Sequence, residues 1–268
     1  MQKTIFITGA SSGLGKATAL LFHSKGWRII ATMRNPEKEN ELTKLDSVIL
    51  LPLDVTNLDQ INRTIKNVTE TYTVDAVMNN AGYGLIGALE ALSDEQIERQ
   101  VQTNLLGVIR VSKAFTAHFR QNKSGVFLNV TSTFGLLGFP TCAAYSATKF
   151  AVDGFSESLA YELAQFGIQV KILAPGGIQT DFAIRSMEVG QHKAYNALTA
   201  EVSKGYSAEK LANYTKVEDV AQIAYQAVTD GKSRLRYIAG NDAIALYAER
   251  TQGGAEAQFE NIKAMFTF

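Results

Sequence analysis

The sequence predicts an α/β protein in which helices cover both faces of one doubly wound parallel sheet. Short β-branched runs alternate with longer segments of helical periodicity, which is the pattern of repeated βαβ units. The runs are apolar at successive positions, as strands covered on both faces are. No repeat, low-complexity tract or Pro/Gly-rich linker divides the 268 residues. We therefore expect a single domain spanning residues 1–268.

Seven short runs rich in Val, Ile and Leu are the predicted strands. They cover residues 4–7, 28–32, 48–53, 74–78, 126–130, 169–173 and 235–238. Because they are this apolar, all seven belong in one covered sheet with helices on both sides.

The predicted helices lie between these strands. They cover residues 13–25, 36–45, 58–71, 94–120, 144–166 and 217–230. Asn57 and Ser93 occupy positions typical of N-caps, and Gly26 and Gly167 follow helices as C-terminal stops do. These signals support the boundaries of the helices.

Residues 181–214 interrupt the alternation, since they form a polar, alanine-rich segment between the sixth strand and the last helix. Long insertions at the carboxyl edge of such a sheet are where substrate lids are found, so we predict a lid. Aromatic and methionine side chains here and near residue 135 are candidates to line an apolar substrate pocket, with core packing as the alternative. They are Phe134, Phe139, Phe182, Met187, Tyr195, Tyr206 and Tyr214.

Composition excludes several classes of function. The 26 basic residues balance 26 acidic ones, so net charge gives no case for a nucleic-acid partner. No apolar run approaches the roughly 20 residues that span a bilayer, and no basic leader precedes the first strand, so we expect a cytoplasmic protein without a membrane partner. The three histidines lack metal-ligand spacing, and no metal site is predicted. Cys142, the single cysteine, is interpreted as a small, partly buried hydrophobic residue.

A glycine-rich turn after the first strand is the predicted phosphate-binding loop. Residues 8–15 read Thr-Gly-Ala-Ser-Ser-Gly-Leu-Gly. Glycines permit a tight turn and close backbone approach, and the amides at the helix start attract a pyrophosphate. The spacing differs from the generic Gly-x-Gly-x-x-Gly fingerprint, and a purely structural turn is the alternative. The predicted binding residues here are Gly9, Ser11, Ser12, Gly13, Leu14 and Gly15.

The end of the second strand distinguishes NAD from NADP. An acidic residue there binds the ribose 2′-hydroxyl of NAD, whereas an arginine accommodates the 2′-phosphate of NADP. Residues 31–35 read Ala-Thr-Met-Arg-Asn, without a carboxylate. Arg34 offers a planar donor fork suited to phosphate, so NADP(H) is predicted in preference to NAD(H). An exposed arginine without a ligand is the alternative.

Turns after three further strands complete the predicted cofactor site. Asp54 and Val55 follow the third strand, where the carboxylate can accept from the exocyclic amine of adenine. The turn at residues 79–82 brings backbone groups under a ribose, and the turn after the sixth strand is placed for the nicotinamide carboxamide. All of them lie at the carboxyl ends of strands, where ligands bind in open α/β sheets. The residues predicted in the last two turns are Asn80, Ala81, Gly82, Pro175, Gly176, Ile178 and Thr180.

A tyrosine and a lysine four residues apart form the predicted proton donor. Apolar residues at steps of four predict the helix over residues 144–166, which places Tyr145 and Lys149 on one face. A positive charge beside a phenol favours the phenolate, so we expect the pKa of Tyr145 to fall from about 10 toward the working pH. Ser132, just after the fifth strand, is placed to bind a substrate carbonyl oxygen. Taken alone, Tyr-x-x-x-Lys also occurs on ordinary half-exposed helices.

In this order and at these distances, the motifs resemble those of the short-chain dehydrogenase/reductase family, in its single-domain branch. The resemblance runs from residue 4 to about residue 240. It implies a Rossmann-type sheet with the strand order 3-2-1-4-5-6-7, and a homodimer or homotetramer. It adds Asn104 to the catalytic set of Ser132, Tyr145 and Lys149, with Asn104 holding a water that relays protons to the lysine. It also implies that Tyr145 and Lys149 contact the cofactor, the lysine through the nicotinamide ribose.

The expected function is that of an NADP(H)-dependent oxidoreductase similar to carbonyl reductases. By resemblance, hydride passes between the nicotinamide and a ketone, an aldehyde or a secondary alcohol, with Tyr145 as general acid and base. The aromatic residues favour a small-molecule substrate with hydrophobic bulk. The alternative is a non-catalytic NADPH-binding sensor or scaffold, because fold does not fix function. An isomerase or dehydratase is disfavoured, since these usually have longer chains with a second substrate domain.

Overall fold

A parallel seven-stranded sheet forms the centre of the part of the chain that the computed structural model describes, residues 2–180 and 186–266. Two short strand pairs lie outside it: β5 Gly84–Ile86 with β9 Met187–Val189, and β8 Ile178–Gln179 with β10 Thr215–Lys216. The strands of the central sheet are β1 Thr4–Thr8, β2 Arg28–Met33, β3 Val48–Pro52, β4 Ala76–Asn79, β6 Gly125–Val130, β7 Ile168–Pro175 and β11 Arg236–Ala239.

The strand order across the sheet is β3-β2-β1-β4-β6-β7-β11, and every neighbouring pair is parallel. This is the order 3-2-1-4-5-6-7 that the resemblance implies, and the predicted fold class is confirmed. The order reverses between β1 and β4, so the loops that follow these two strands diverge from a crevice at the carboxyl edge.

Helices cover both faces of the sheet. On one face, Phe22 of the first helix packs with the buried alanines of the helix that precedes β11. On the other face, Phe115 and Phe119 fill the core, and Phe115 meets Phe6 of β1 with ring centroids 4.9 Å apart. The helices are α1 Gly13–Ser24, α2 Leu58–Thr71, α3 Asp94–Val101, α4 Gly107–Asn122, α5 Ala143–Ala164, α6 Asn196–Ser203, α7 Ala208–Ala212, α8 Val217–Thr229, α9 Asn241–Gly253 and α10 Ala255–Met265.

The predicted helix over residues 36–45 is wrong. Two 3₁₀ turns, Pro36–Lys38 and Leu42–Lys44, take its place. Between them Glu39 is buried, and its carboxylate accepts the backbone N–H groups of Glu41 at 2.8 Å and Leu42 at 3.1 Å. The Nζ of Lys16 on α1 holds the same carboxylate at 3.1 Å. A side chain therefore satisfies the donors that an α-helix would have bonded to its own backbone.

The predicted helix over residues 94–120 is interrupted. Ser93 caps its start as expected, with a reciprocal bond to Gln96. Residues Gln102–Leu106 then form a π-helical segment before α4 begins. A π segment inserts an extra residue into the turn, and such segments are frequent at functional sites. Asn104 lies inside this one.

The predicted lid segment is partly described. Residues 186–214 contain β9, α6 and α7, while residues 181–185, including the candidate Phe182, lie outside the described residues. After β11, helices α9 and α10 form a pair to which the sequence analysis assigned no function. Among the described residues, none of the helices is both long and apolar enough to cross a bilayer.

Candidate active site

One cavity of about 1090 Å³ opens at the carboxyl edge of the sheet. The predicted cofactor and catalytic residues line it, with the exception of Gly15 and Asn104. Gly15 lies behind the glycine-rich turn, where an added Cβ would stand 2.3 Å from the carbonyl oxygen of Gly9. The structure thus brings the motifs of six strand ends into one space.

The glycine-rich turn is fixed against the turn after β4. Gly9 has φ +67°, and a Cβ there would lie 2.8 Å from the Cα of Ala81. The Asn80 side chain donates to the carbonyl oxygens of Thr8 and Gly9, at 3.0 Å each. Only glycine permits this approach, because a side chain would be strained in φ and would collide with backbone.

The start of α1 faces the cavity and suits an anion. Leu14 and the preceding Gly13 and Ser12 line the space, and the side chain of Ser12 makes no capping bond to the helix. The first turn of α1 carries no acidic residue. Unpaired amides and the positive end of the helix dipole therefore meet the cavity. Together with the glycine turn, these residues fit the pyrophosphate of a dinucleotide.

Arg34 lies exposed at the rim of the cavity, after β2. Within the described chain its guanidinium has no hydrogen bond or ion pair. The neighbouring cation Lys16 is held by Glu39 at 3.1 Å and by Glu41 at 2.8 Å. Arg34 is therefore the basic side chain available to a phosphate at this end of the site. Asp54 is placed as predicted, although its carboxylate accepts from Thr56 N and Thr56 Oγ1 at 2.9 Å and 2.7 Å.

Tyr145, Lys149 and Ser132 meet at the middle of the cavity. One helical turn separates the tyrosine from the lysine, and the Lys149 Nζ lies 5.7 Å from the Tyr145 ring centroid. The Ser132 hydroxyl is hydrogen-bonded to the Tyr145 phenol. Lys149 also donates to the carbonyl oxygen of Val130 at 3.0 Å.

A close approach of two elements creates this arrangement. Ser132 leads into the 3₁₀ turn Thr133–Gly135, and its hydroxyl accepts the Phe134 N–H at 3.2 Å. Gly135 packs on α5, where an added Cβ would lie 2.9 Å from the carbonyl oxygen of Lys149. A glycine at this position therefore lets the serine turn reach the helix that carries the tyrosine.

The expected lowering of the Tyr145 pKa is wrong for this structure. Burial raises the pKa of Tyr145 to about 12, and the Ser132 hydrogen bond only partly opposes it. Burial also lowers the pKa of Lys149 to about 8. Desolvation disfavours the charged form of each group, and it is the main cause of both pKa shifts. At neutral pH Tyr145 therefore carries its proton, and Lys149 is still mainly charged.

Asn104 fastens the segment that follows β4. It is 1% exposed, and its side-chain amide donates to the Tyr83 carbonyl at 2.8 Å while its oxygen accepts the Tyr83 N–H at 3.0 Å. Its amide also reaches the Thr148 hydroxyl at 3.5 Å. The Asn104 side chain thus links the π segment to the Tyr83 backbone and to α5.

The apolar candidates divide into two groups. Phe134, Phe139, Met187 and Tyr214 line the cavity. Tyr195 does not; it stacks edge-on to His192 with ring centroids 5.8 Å apart. For Tyr206 only the backbone is described.

Sequence reasoning missed two contributions to the site. The Asp242 carboxylate accepts the Gly177 N–H at 2.7 Å, and Asp242 and Leu246 of α9 line the cavity. The Glu188 carboxylate of β9 accepts from the Gln96 side chain at 2.7 Å and from Arg99 at 2.9 Å. Both arrive from segments far away in the chain, and no local motif marks them.

Metal and disulfide chemistry find no support in the described ranges. No group of three or more His, Cys, Asp or Glu side chains there is placed to hold a metal ion. Cys142 is fully buried and unpaired, and burial raises the pKa of its thiol to about 12. The thiol is therefore inert at neutral pH.

Comparison with known proteins places the site in context. The family model for short chain dehydrogenases matches residues 3–189. The oxidoreductase BOA17 of Botryotinia fuckeliana is 37% identical over 249 residues, which are 91% of this chain and 91% of that protein. Residues 190–268, with most of the lid and the last helix pair, lie outside the match to the family model.

Solved structures show the same fold. A short-chain dehydrogenase from Streptomyces avermitilis superposes with a TM-score of 0.86 at 29% identity, covering 98% of this chain and 96% of that one. ElxO, solved with NADP bound, superposes with a TM-score of 0.74 at 28% identity, covering 89% of this chain and 98% of ElxO.

Proposed function

Because this chain belongs to the short-chain dehydrogenase family, we propose that it is an NADP(H)-dependent carbonyl reductase or alcohol dehydrogenase. Membership makes it an oxidoreductase of the CH–OH/C=O type. The observation that carries the finer proposal is the meeting of Ser132, Tyr145 and Lys149 in the cavity that the glycine turn enters. A bound nicotinamide dinucleotide would supply or accept the hydride.

Tyr145 acts as the proton donor in the reductive direction. Its raised pKa keeps the phenol protonated at neutral pH, so a proton is ready for the oxygen of a carbonyl substrate. Ser132, hydrogen-bonded to the phenol, orients and polarises that oxygen. When the proton leaves, the buried phenolate is stabilised by the ammonium of Lys149, 5.7 Å from the ring centroid.

Lys149 also has donors left for a ligand. An ammonium has three N–H donors, and one of them is bonded to Val130. The others suit the hydroxyls of a ribose. Asn104 holds the Tyr83 backbone beside this group, and we assign it a part in the proton path to the lysine.

The proposed preference for NADP(H) over NAD(H) rests on Arg34. No carboxylate occupies the end of β2, the arginine is exposed at the rim, and Lys16 is occupied by Glu39 and Glu41. A guanidinium without a partner is suited to a 2′-phosphate.

The proposed substrates are ketones, aldehydes and secondary alcohols with an apolar substituent. Beside Tyr145, the walls of the cavity are Ile86, Phe134, Phe139 and Met187, and they form one apolar cluster with it. Such walls bind hydrophobic groups, and the cation Arg99 that also lines the cavity is paired with Glu188 at 2.9 Å.

The decisive experiment follows NADPH oxidation with a panel of ketones and aldehydes. We expect turnover in the wild type and loss of about 100-fold or more in Tyr145→Phe. The variant should bind NADPH within a few-fold of wild type, because the lost hydroxyl is not part of the phosphate site. Normal turnover by the Tyr145→Phe variant would contradict the assignment of Tyr145 as the proton donor. Bound NADPH without turnover across the panel favours a sensor or scaffold instead.

Domain organisation and assembly are part of the proposal. We assign residues 1–268 to one domain with a substrate lid at residues 181–214. We further propose that the protein acts in the cytoplasm.

The chains would associate through α4 and α5 as a homodimer or a homotetramer. In support, α5 exposes 41% of Phe150 and 74% of Tyr161, an apolar surface that pairing covers. Light scattering on the purified protein tests the assembly, and a monomer rejects it.

A further inference from the structure

Three phenylalanines form a row that runs from the cavity to the end of the chain. Phe134 and Phe139 line the cavity and stack with ring centroids 4.9 Å apart and planes at 16°. Phe266 meets Phe139 edge-to-face, with centroids 5.4 Å apart and planes at 87°. Phe266 does not itself line the cavity, so it supports the aromatic wall from behind.

The row lies next to the reacting groups. Phe134 and Phe139 pack in the same apolar cluster as Tyr145, Ile86 and Cys142. Phe134 also lies in the 3₁₀ turn that Ser132 leads into, and the Ser132 hydroxyl accepts the Phe134 N–H. A movement of the wall therefore changes the space in which the apolar part of a substrate lies beside Tyr145.

The last helix pair holds Phe266 in place. Helix α9 is attached to the site, because Asp242 accepts the Gly177 N–H at 2.7 Å and Leu246 lines the cavity. Helix α10 is attached to α9 by Gln258, which is 1% exposed and donates to the Leu246 carbonyl at 2.7 Å. Phe266 follows α10 directly, and its N–H bonds to the carbonyl oxygen of Lys263 at 3.1 Å.

Stacked and edge-to-face aromatic pairs stabilise a fixed ring geometry beyond the area that they bury. Phe139 has one stacked neighbour, Phe134, and one edge-to-face neighbour, Phe266. Without Phe266 the Phe139 ring would lose one of its two aromatic contacts and its fixed orientation. Substrates that press against this wall would lose binding, whereas small substrates would not.

We propose that Phe266 is a positioning residue for substrate specificity, which acts through Phe139 to select carbonyl compounds that carry a bulky apolar group. This proposal rests on the proposed function and deepens it, because it names the part of the chain that selects the apolar substituent of the substrate. Phe266 and the last helix pair lie outside the region matched by the family model, whereas Phe139 lies inside it. Phe266 therefore adds a contribution to specificity that the matched region does not contain.

The test compares Phe266→Ala with Phe259→Ala. Phe259 lies on α10, the helix that Phe266 follows, and it is 63% exposed. The Phe259→Ala variant therefore controls for the loss of an aromatic side chain from this part of the chain. Benzylacetone and butanone serve as the bulky and compact ketones. For Phe266→Ala we expect KM for benzylacetone to rise about 3- to 10-fold with kcat within about 2-fold. The kcat/KM for butanone should stay within about 2-fold, and Phe259→Ala should match wild type.

Two further measurements separate the possible failures. If Phe266→Ala does not fold, Phe266→Leu retains apolar bulk behind Phe139 and should show a smaller rise in KM in the same direction. Calorimetric binding of benzylacetone to the complex with NADP⁺, which has no hydride to give to a ketone, involves no turnover, so it tests the wall even if the enzymatic proposal fails. Equal losses for both ketones, or equal benzylacetone affinity in wild type and Phe266→Ala, would overturn the inference.

Discussion

Removing the charge of Lys149 should stabilise the fold while it abolishes activity. The fall of the Lys149 pKa from 10.5 to about 8 through burial means that charging this amine costs about 3 kcal/mol more in the fold than in the unfolded chain. Replacement by methionine keeps the length of the side chain and removes that cost. It also leaves the Val130 carbonyl without its donor, a loss of about 1 kcal/mol. The expected net gain is about 2 kcal/mol at neutral pH.

The gain should depend on pH in a defined direction. Below about pH 8 the lysine is charged in both states, and the wild type bears the full cost. Between about pH 8 and 10.5 the folded protein has lost the proton and the unfolded chain still binds it, so stability of the wild type rises with pH. Above about 10.5 both are neutral. The advantage of Lys149→Met should therefore fade across this window.

Urea unfolding at about pH 7 and about pH 10.5 measures the effect, with Lys113→Met on the exposed surface of α4 as the matched control. The control should change stability by no more than about 0.5 kcal/mol at either pH. The reasoning is refuted if Lys149→Met is no more stable than the wild type at about pH 7. It is also refuted if the variant is stabilised equally at both pH values. Its turnover should fall at least 100-fold.

Three further outcomes follow from the site and the core. Arg34→Asp should lower the ratio of NADPH to NADH in kcat/KM at least 10-fold, since it replaces a phosphate donor by a carboxylate; an unchanged ratio removes Arg34 from the phosphate role. Gly9→Ala should weaken NADPH binding by about 10-fold or more, because of φ +67° and the contact with the neighbouring backbone. Gly26→Ala, at φ +80° with nothing within 4 Å, should lose stability only. Burial lowers the pKa of His118, whose Nε2 accepts the Val74 N–H. Unfolding free energy should therefore fall as the pH drops below about 6.5, and less so in His118→Gln; parallel pH curves contradict this.

Local pattern predicted the sheet and the positions of the turns that line the cavity. The strands are apolar on both faces, and each motif follows its strand directly, so placing the strands also places the motifs at one edge. The order of the strands came from resemblance. Neither source depended on contacts between distant side chains.

What could not be predicted depends on long-range contacts. The helix over residues 36–45 fails because the buried Glu39 bonds to the backbone ahead of it and to Lys16 on another helix. Inside the π segment, the buried Asn104 side chain bonds to the backbone of Tyr83, a contact between separate elements that apolar periodicity does not reveal. The pKa of Tyr145 is set by how completely the fold excludes water, which spacing along a helix does not reveal.

The hydrogen bond from the Gly177 N–H to the Asp242 carboxylate makes completion of the site depend on a segment that is synthesised well after the motifs. A nascent chain that has left the ribosome only as far as Val189 already carries the glycine turn, the tyrosine and the lysine. It still lacks the carboxylate that anchors the turn after β7, and the edge strand β11 beside that turn. We therefore expect dinucleotide to stabilise the growing protein fully only after residues up to Asp242 have emerged, and products that terminate before β11 should gain less from it.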